Sequence, residues 1–408
     1  MAKKKPYFVD LFAGCGGLSL GLENAGFAPA YVNELDPDAM ESYLINRDKE
    51  FPLLREKYNS SDIQENLTYK KNALDKLVVE FEADYEIGNG ELGLVVGGPP
   101  CQGYSAMGMR RTFIVDKKDI PSNHLFMDMI NVINKLKPKA FLFENVAGLL
   151  NGKWTPNGEK GEIWNDVQNA FKKINGYTTN SELIHAKSYG VPQNRPRIIM
   201  IGIRDDFKKD DMFPEAKNDY PDPEDLFSDL VDPNYKKTLK TTKYPSNPLT
   251  KIQEKMRTRP DGSISSKDDR LTEQEYSDHS DKIITKFKYM IENNGEIPKE
   301  MKTKKFAQRV IPRKWGTSGP NITATSLPDD FVHYAQPRSM TVREWARLQM
   351  FPDWYEFSGK RTTGGRRRAG NPDKADWKRE TPKYTQIGNA VPVKLAEEIG
   401  KHLKKIIA

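Results

Sequence analysis

The sequence predicts an α/β fold built on a mostly parallel sheet, with a domain boundary after Arg204, and three observations carry that expectation. Short β-branched runs alternate with amphipathic helical stretches from residue 7 to residue 203, the pattern of strands that return through helical crossovers. Two of those strands run into glycine-rich turns, where sheets of this class carry their sites. Between Asp205 and Asp229 proline is frequent and both periods disappear.

Taken in order, Tyr7 to Phe12 reads as a strand and runs into Ala-Gly-Cys-Gly-Gly, residues 13 to 17. A helix follows through Asn24 and is stopped by Gly26. Gly14 and Gly16 have the spacing of a nucleotide-binding turn, but the third glycine position is Ser19, so the dinucleotide fingerprint is incomplete. After a strand at Ala30 to Val32 comes Glu34, twenty residues past Gly14. An acidic side chain there can accept both hydroxyls of a ribose, although a solvated loop glutamate would look the same. Asp36 to Arg47 reads as a helix, with Asp36 as N-cap and Pro37 in its first turn. Residues 48 to 91 are polar and lysine-rich and show little period; Asp62, in Ser-Ser-Asp-Ile, is the candidate for a further nucleotide contact, with Asp75 as its rival.

The apolar run Leu92, Leu94, Val95, Val96 ends in Gly97 to Ser105, Gly-Gly-Pro-Pro-Cys-Gln-Gly-Tyr-Ser. Cys101 therefore sits on a loop at a strand's carboxyl end. Two prolines before it fix φ, and the flanking glycines let a planar ligand approach the backbone. That mounting suits a nucleophile, whereas a buried structural thiol is the ordinary alternative. Asn123 to Lys135 is expected as helix and Ala140 to Phe143 as strand, delivering Glu144, Asn145 and Val146 to the same crevice. A helix over Glu162 to Lys173, a strand near Leu183 and a strand over Arg197 to Ile203 complete the alternation.

Composition narrows the class. The 408 residues suffice for two or three domains, and only two cysteines, Cys15 and Cys101, are present, so neither a disulfide framework nor a zinc site is expected. No apolar run approaches the ~18 residues that span a membrane, and a cytoplasmic protein is expected. A net charge of +7 favours a polyanionic partner. Ten acidic residues face three basic ones between Asp205 and Asp229, which sets a domain boundary there. Met301 to Trp315 holds six basic residues and no acidic one, and Lys360 to Glu380 holds eight against three, so the positive charge is concentrated in the second half. Thr341 to Met350 is expected as helix, and a Gly-Asn-Ala-Val-Pro loop opens a last helix within Gln386 to Ile407.

Together the segments DLFAGCGG (residues 10 to 17), GGPPCQGYS (97 to 105), ENV (144 to 146), QNRPR (193 to 197), residues 338 to 352, and GNAVP (388 to 392) resemble the cytosine-5 DNA methyltransferase family, in that family's order and from one end of the chain to the other. The resemblance implies a Rossmann-like catalytic domain, residues 1–205 completed by 381–408, and a target-recognition domain with basic DNA-binding segments, residues 206–380. It implies a soluble enzyme that transfers a methyl group from S-adenosylmethionine, leaving S-adenosylhomocysteine, to cytosine in double-stranded DNA, as a monomer, without metal or membrane, and with a restriction endonuclease as a possible partner.

The chemistry asks for matching residues. Carbon 5 of cytosine becomes nucleophilic when a thiolate adds at carbon 6, which Cys101 would supply, with a desolvated carboxyl group at N3, Glu144. The resemblance carries a cation beside the base to Arg197, with Arg195 in support or in a purely structural role. It carries cofactor contacts to Phe12, Ala13, Gly14, Cys15, Gly16, Gly17, Glu34, Leu35, Asp62, Ile63, Pro100, Leu125, Asn389, Ala390 and Val391. Leu35 stands where the family often has a tryptophan, so apolar packing replaces stacking there. For DNA, Arg309, Arg313 and Lys314 offer donors, and Gln308, Asn321 and Thr323 address base edges. Arg366, Arg367 and Arg368 suit phosphate, and Gln102 and Ser105 the gap left by a flipped base.

Three alternatives stay open on the sequence. A transfer-RNA cytosine methyltransferase shares these motifs, but its Cys-Phe-Thr segment has no counterpart here. A catalytically silent DNA-binding relative would not need Cys101, Glu144 and Arg197 together. A nicotinamide dehydrogenase rests on the glycine turn and Glu34 alone.

Overall fold

The computed structural model describes residues 5–100, 117–119, 121–208, 210–297, 299–302, 308–316, 322, 331–362 and 380–408. Its first half runs β1 (Tyr7–Leu11), α1 (Gly17–Asn24), β2 (Ala28–Asn33), α2 (Pro37–Ile45), α3 (Pro52–Glu56), β3 (Asn59–Ser60), α4 (Ala73–Tyr85), β4 (Leu94–Gly97), α5 (Phe126–Leu136), β5 (Ala140–Val146), α6 (Glu162–Lys172), β6 (Tyr177–His185) and β7 (Pro196–Arg204). These seven strands form one sheet in the order β3-β2-β1-β4-β5-β7-β6. All neighbours are parallel except β7, which runs antiparallel to both β5 and β6. The expected α/β architecture with a mostly parallel sheet is thus present.

Side-chain alternation sorts the core into two layers, one on each face of the sheet. Leu94, Val96, Leu142, Ile199 and Ile201 join α1 and the C-terminal helix on one face, while Val95, Phe141, Phe143, Ile198 and Met200 join α5 and α6 on the other. The remaining elements are α7 (Pro223–Phe227), α8 (Lys251–Arg257), α9 (Asp281–Glu292), the short parallel pair β8 (Arg309–Val310) and β9 (Phe331–Val332), α10 (Val342–Leu348), α11 (Lys383–Asn389) and α12 (Val393–Ile406). Their buried residues Leu226, Phe227, Met256, Ile311, Phe331 and Trp345 belong to the same apolar cluster as the first face of the sheet. Helix α12 returns to α1 at close quarters: a methyl group on Gly21 would lie 2.4 Å from the Ala396 Cβ, and one on Gly400 2.8 Å from that of Ala25. Among the described residues no helix is long and apolar enough to cross a membrane.

Several expectations need correction. The first strand stops at Leu11, because Phe12 takes a left-handed φ of 59°. The strand expected at Ala140 to Phe143 extends through Val146, since β7 continues the ladder and pairs Glu144 with Ile199. Residues 48 to 91 hold α3, β3, a π-helical turn (Gln64–Thr68) and α4. Helix α4 buries only Leu77 and Phe81, a stripe too narrow to stand out in a lysine-rich stretch. Helix α5 starts at Phe126 rather than Asn123, after a 3-10 turn (Pro121–His124). Gly388 and Asn389 close α11 instead of opening a loop. Residues 205 to 229, expected without period, hold the one-turn helix α7.

Asp10, in β1, is almost fully buried; its Oδ2 accepts a 2.5 Å hydrogen bond from Ser19, which also contacts the Tyr43 hydroxyl, while its Oδ1 has no hydrogen-bond partner. Burial raises its carboxyl from 3.8 to about 7, against the opposing Ser19 hydrogen bond and Arg47 charge. The folded state thus holds this proton more tightly than the unfolded state, so the linked stability is complete below 3.8 and is lost as pH rises through about 7. Asp10→Asn should therefore gain on the wild type by ~1–3 kcal/mol between pH 5 and pH 8. Urea unfolding at the two pH values measures this, and a pH-independent difference would refute it.

Candidate active site

The parallel strands β1, β4 and β5 deliver their following loops to one edge, and the order of the sheet makes the gap between β1 and β4 a switch point. The turn after β1 is built from left-handed residues at Phe12, Gly14 and Gly16. Glu34, past the end of β2, holds this turn: its Oε2 accepts from the Gly14 N–H at 2.7 Å and its Oε1 from the Asp36 N–H at 2.8 Å. Burial raises the Glu34 carboxyl, and those two backbone donors pull it back. Each oxygen retains acceptor capacity for a ligand hydroxyl, and the space beside the Gly14 Cα is open to 4 Å.

The carbonyls of the turn point the other way. Tyr355 donates to the Cys15 carbonyl at 2.6 Å, and Arg47 reaches the Gly16 carbonyl at 3.3 Å, the Tyr43 carbonyl at 2.8 Å and the Tyr355 hydroxyl at 3.0 Å. Glu23 neutralises Arg47 at 2.6 Å. A Cβ at Gly16 would meet Tyr355, Arg47 and Tyr43 within 3 Å, so glycine is required there for space as well as for φ. Burial pushes the Cys15 thiol up to about 12, leaving it un-ionised at neutral pH. Residues 390 and 391 close the crevice from the C-terminal side: the Val391 carbonyl lies where a Gly17 Cβ would stand. Asn389 is exposed beside them.

After β4, Gly98 approaches Glu144 so closely that a Cβ would lie 2.9 Å from its Oε2. Asn145 donates from Nδ2 to the Pro99 carbonyl at 3.0 Å, which ties the stem of the Cys101 loop to β5. Glu144 is buried, with Oε1 2.6 Å from the Arg197 Nε. That nitrogen makes no in-line hydrogen bond, so the contact is an ion pair. Burial pushes the Arg197 guanidinium down and the Glu144 charge holds it up.

Arg195 does not stand with Arg197. It precedes β7, so strand alternation does not govern it, and its guanidinium turns to backbone carbonyls: Ile322 at 2.5 Å and Gly388 and Ala390 at 2.6 and 3.1 Å. Its guanidinium holds the Ile322 carbonyl and the C-terminal end of α11, which is the structural role the sequence left open. Asp62 accepts from the Gln64 and Glu65 N–H groups at 2.8 and 3.1 Å and so starts the π-helical turn at the crevice edge, beside buried Ile63. Its rival Asp75 pairs with Lys135 in the last turn of α5, near where β5 begins and away from that edge. Leu35 is 68% exposed, and Leu125 caps α5. Pro100 is exposed.

Of the residues proposed for DNA, Gln308 is bonded to Lys286. Arg309 lies over the Phe331 ring at 5.8 Å, and Arg313 lies over Tyr334 at 4.8 Å while paired with Glu224. Lys314 is exposed. Cys101, Gln102, Ser105, Asn321, Thr323, Arg366, Arg367 and Arg368 lie outside the described residues. Arg47, Gln193 and Tyr355 were not singled out by sequence. The Arg47–Tyr355, Tyr355–Cys15 and Gln193–Gln349 contacts join residues more than a hundred positions apart, and of the three only Gln193 lies within a motif.

A family model described as C-5 cytosine-specific DNA methylase matches residues 7–405. The chain is 30% identical to the type II methyltransferase M.DdeI of Desulfomicrobium norvegicum, covering 97% of this chain and 88% of that one. It is 29% identical to M.Sau96I of Staphylococcus aureus, covering 98% and 76%. Among solved structures it is similar to one described as a DNA modification methyltransferase encoded within an E. coli prophage, at 23% identity with a TM-score of 0.67 over 98% of this chain and 99% of that one. The S. pombe Dnmt2 methyltransferase gives 16% and 0.56 over 98% and 99%.

Tyr355→Phe removes a buried donor to the glycine turn and an acceptor for Arg47. It should cost ~1–3 kcal/mol, measured by chemical denaturation. A change within the error of the measurement would show that the turn holds its shape without it.

Proposed function

The chain belongs to the C-5 cytosine-specific DNA methylase family and is a DNA cytosine-5 methyltransferase, and on that premise we propose that it methylates carbon 5 of a cytosine flipped out of a specific double-stranded DNA site. The observation that carries this reading is the buried Glu144–Arg197 pair, lying against the stem of the Cys101 loop through Gly98 and Asn145. In this reading Glu144 first takes up a proton from solvent, the Cys101 thiolate adds to carbon 6 of cytosine, forming an S–C bond, and the displaced ring electrons are taken up as N3 receives that proton from Glu144. Carbon 5 is then an enamine nucleophile.

Arg197 keeps Glu144 oriented and places a positive charge beside the developing adduct. S-adenosylmethionine, when bound, supplies an electrophilic methyl group and leaves as S-adenosylhomocysteine. The Glu34 oxygens suit its ribose, the open space at Gly14 its approach to the turn, and Asp62 and Ile63 its adenine. Asn389, Ala390 and Val391 suit its methionine end. Loss of the carbon 5 proton to a solvent base, with departure of the Cys101 sulfur, restores the ring, and N3 returns its proton to Glu144. Residues 206–380 act as the recognition domain, with Arg309 and Arg313 the first candidates for base contacts. Arg313 must leave Glu224 to make one. A partner endonuclease, a monomeric state and a cytoplasmic location complete the proposal.

Cys101→Ala should abolish methyl transfer, and the wild type should form a covalent adduct with DNA carrying 5-fluorocytosine. Methylation by the alanine variant at a rate near wild type would overturn the thiolate mechanism. Glu144→Gln should lower the rate by ~10²-fold or more, the usual weight of a general acid, with DNA affinity little changed. Equal losses of rate and binding in a filter assay would instead make Glu144 a positioning group.

A further inference from the structure

Ile322 stands between Asn321 and Thr323, two residues expected to address base edges, and both of its backbone polar groups are held from the QNRPR motif. Its N–H donates to the Gln193 Oε1 at 3.2 Å, and its carbonyl accepts from the Arg195 Nη1 at 2.5 Å. The other arm of the same guanidinium, Nη2, donates to the carbonyls of Gly388, Asn389 and Ala390 at 2.6, 3.3 and 3.1 Å. Gln193 extends the junction: its Nε2 donates to the Leu348 carbonyl and to the Gln349 Oε1 at 2.7 and 2.8 Å, and the Gln349 Nε2 donates to the Ile387 and Ala390 carbonyls. All of these side chains are at least nine-tenths buried.

Arg195 has no carboxylate partner within ion-pair distance among the described residues, and Arg197 repels it. Glu144 offsets part of that repulsion through space, but a buried cation whose hydrogen bonds all go to carbonyls is still a costly choice where packing is the only need. What it provides is a rigid planar fork that serves two separate segments at once. We propose that Arg195 is a positioning residue that couples the two ligand sites, fixing Ile322 on one arm and the 388–390 carbonyls on the other, so that DNA bound by the recognition stretch tightens the cofactor loop and bound cofactor tightens the grip on DNA. The proposal rests on the methyltransferase reading above. Coupling of this kind is reciprocal in free energy.

The test uses the full chain and titration calorimetry with S-adenosylhomocysteine, alone and in the presence of a duplex bearing the site recovered by methylation of a randomised pool. For the wild type the duplex should lower the dissociation constant by a factor of about 5 to 150. Arg195→Lys keeps the charge but offers one nitrogen in place of the fork, and the factor should fall towards one while binding without DNA persists. Gln193→Met leaves the direct Arg195 bonds to residues 388–390 in place and frees the Ile322 N–H, and should also lower the factor, which keeps the test available if the lysine variant does not fold. A wild type that binds S-adenosylhomocysteine with no effect of the duplex, or variants that keep the full factor, would overturn the coupling and leave the methyltransferase reading standing. Failure of the wild type to bind S-adenosylhomocysteine at all would sink both.

Discussion

Backbone carbonyls in irregular loops must find donors when the loops are packed into a core, and buried arginines meet that need throughout this molecule. Arg47 serves the glycine turn, Arg195 the 388–390 segment and Ile322, and Arg343 the carbonyls of Pro352 and Tyr355. Arg347 reaches the Leu226 carbonyl, and Arg257 those of Ser246 and Ser265. Each side chain is essentially inaccessible to solvent. A guanidinium offers five N–H groups in a fixed plane, so one side chain can hold several carbonyls that no ladder would satisfy. This is how loops at the edge of a sheet become as rigid as the sheet.

The charge that comes with these donors is handled in two ways. Arg347 and Arg257 share Asp229, Arg347 also meets Asp353, and Arg338 meets Glu344, so buried pairs tie Asp229 and α8 to α10 and the residues on either side of it. Removing one partner of such a pair leaves a buried charge uncompensated and costs about 3–5 kcal/mol. Arg195 and Arg343 have no such partner among the described residues and lean on carbonyls and hydroxyls, so their contacts answer to loop position rather than to charge.

The alternating first half of the chain was legible because β-branched runs and glycine stops are local signals. Strands β1, β2, β4 and β7 and helices α1, α2 and α6 were read to within a few residues. The stretch from 48 to 91 was not, since α4 buries so little that its solvent-facing lysines and acids dominate the pattern. For the site, the motifs pointed to the turn, the Cys101 loop and Glu144, and Arg197, expected as a cation beside the base, stands 2.6 Å from the Glu144 carboxylate. The direction of Arg195 was beyond reach, because it depends on carbonyls 127 to 195 positions away. The Tyr355 contact to Cys15, 340 positions distant, carries no sequence signal of its own.

The packing of α12 on α1 has a consequence for biosynthesis. The glycine contacts at Gly21 and Gly400 close only when the last helix is present, so Leu18 and Leu22, buried in the finished protein, have no lid while the ribosome is still adding the second half. The sheet can pair its strands by residue 204, but its first helix stays uncovered for nearly two hundred further additions. A protein built this way closes this face of its sheet only once residues 393–406 have been made, and the apolar surface left open until then is prone to aggregation.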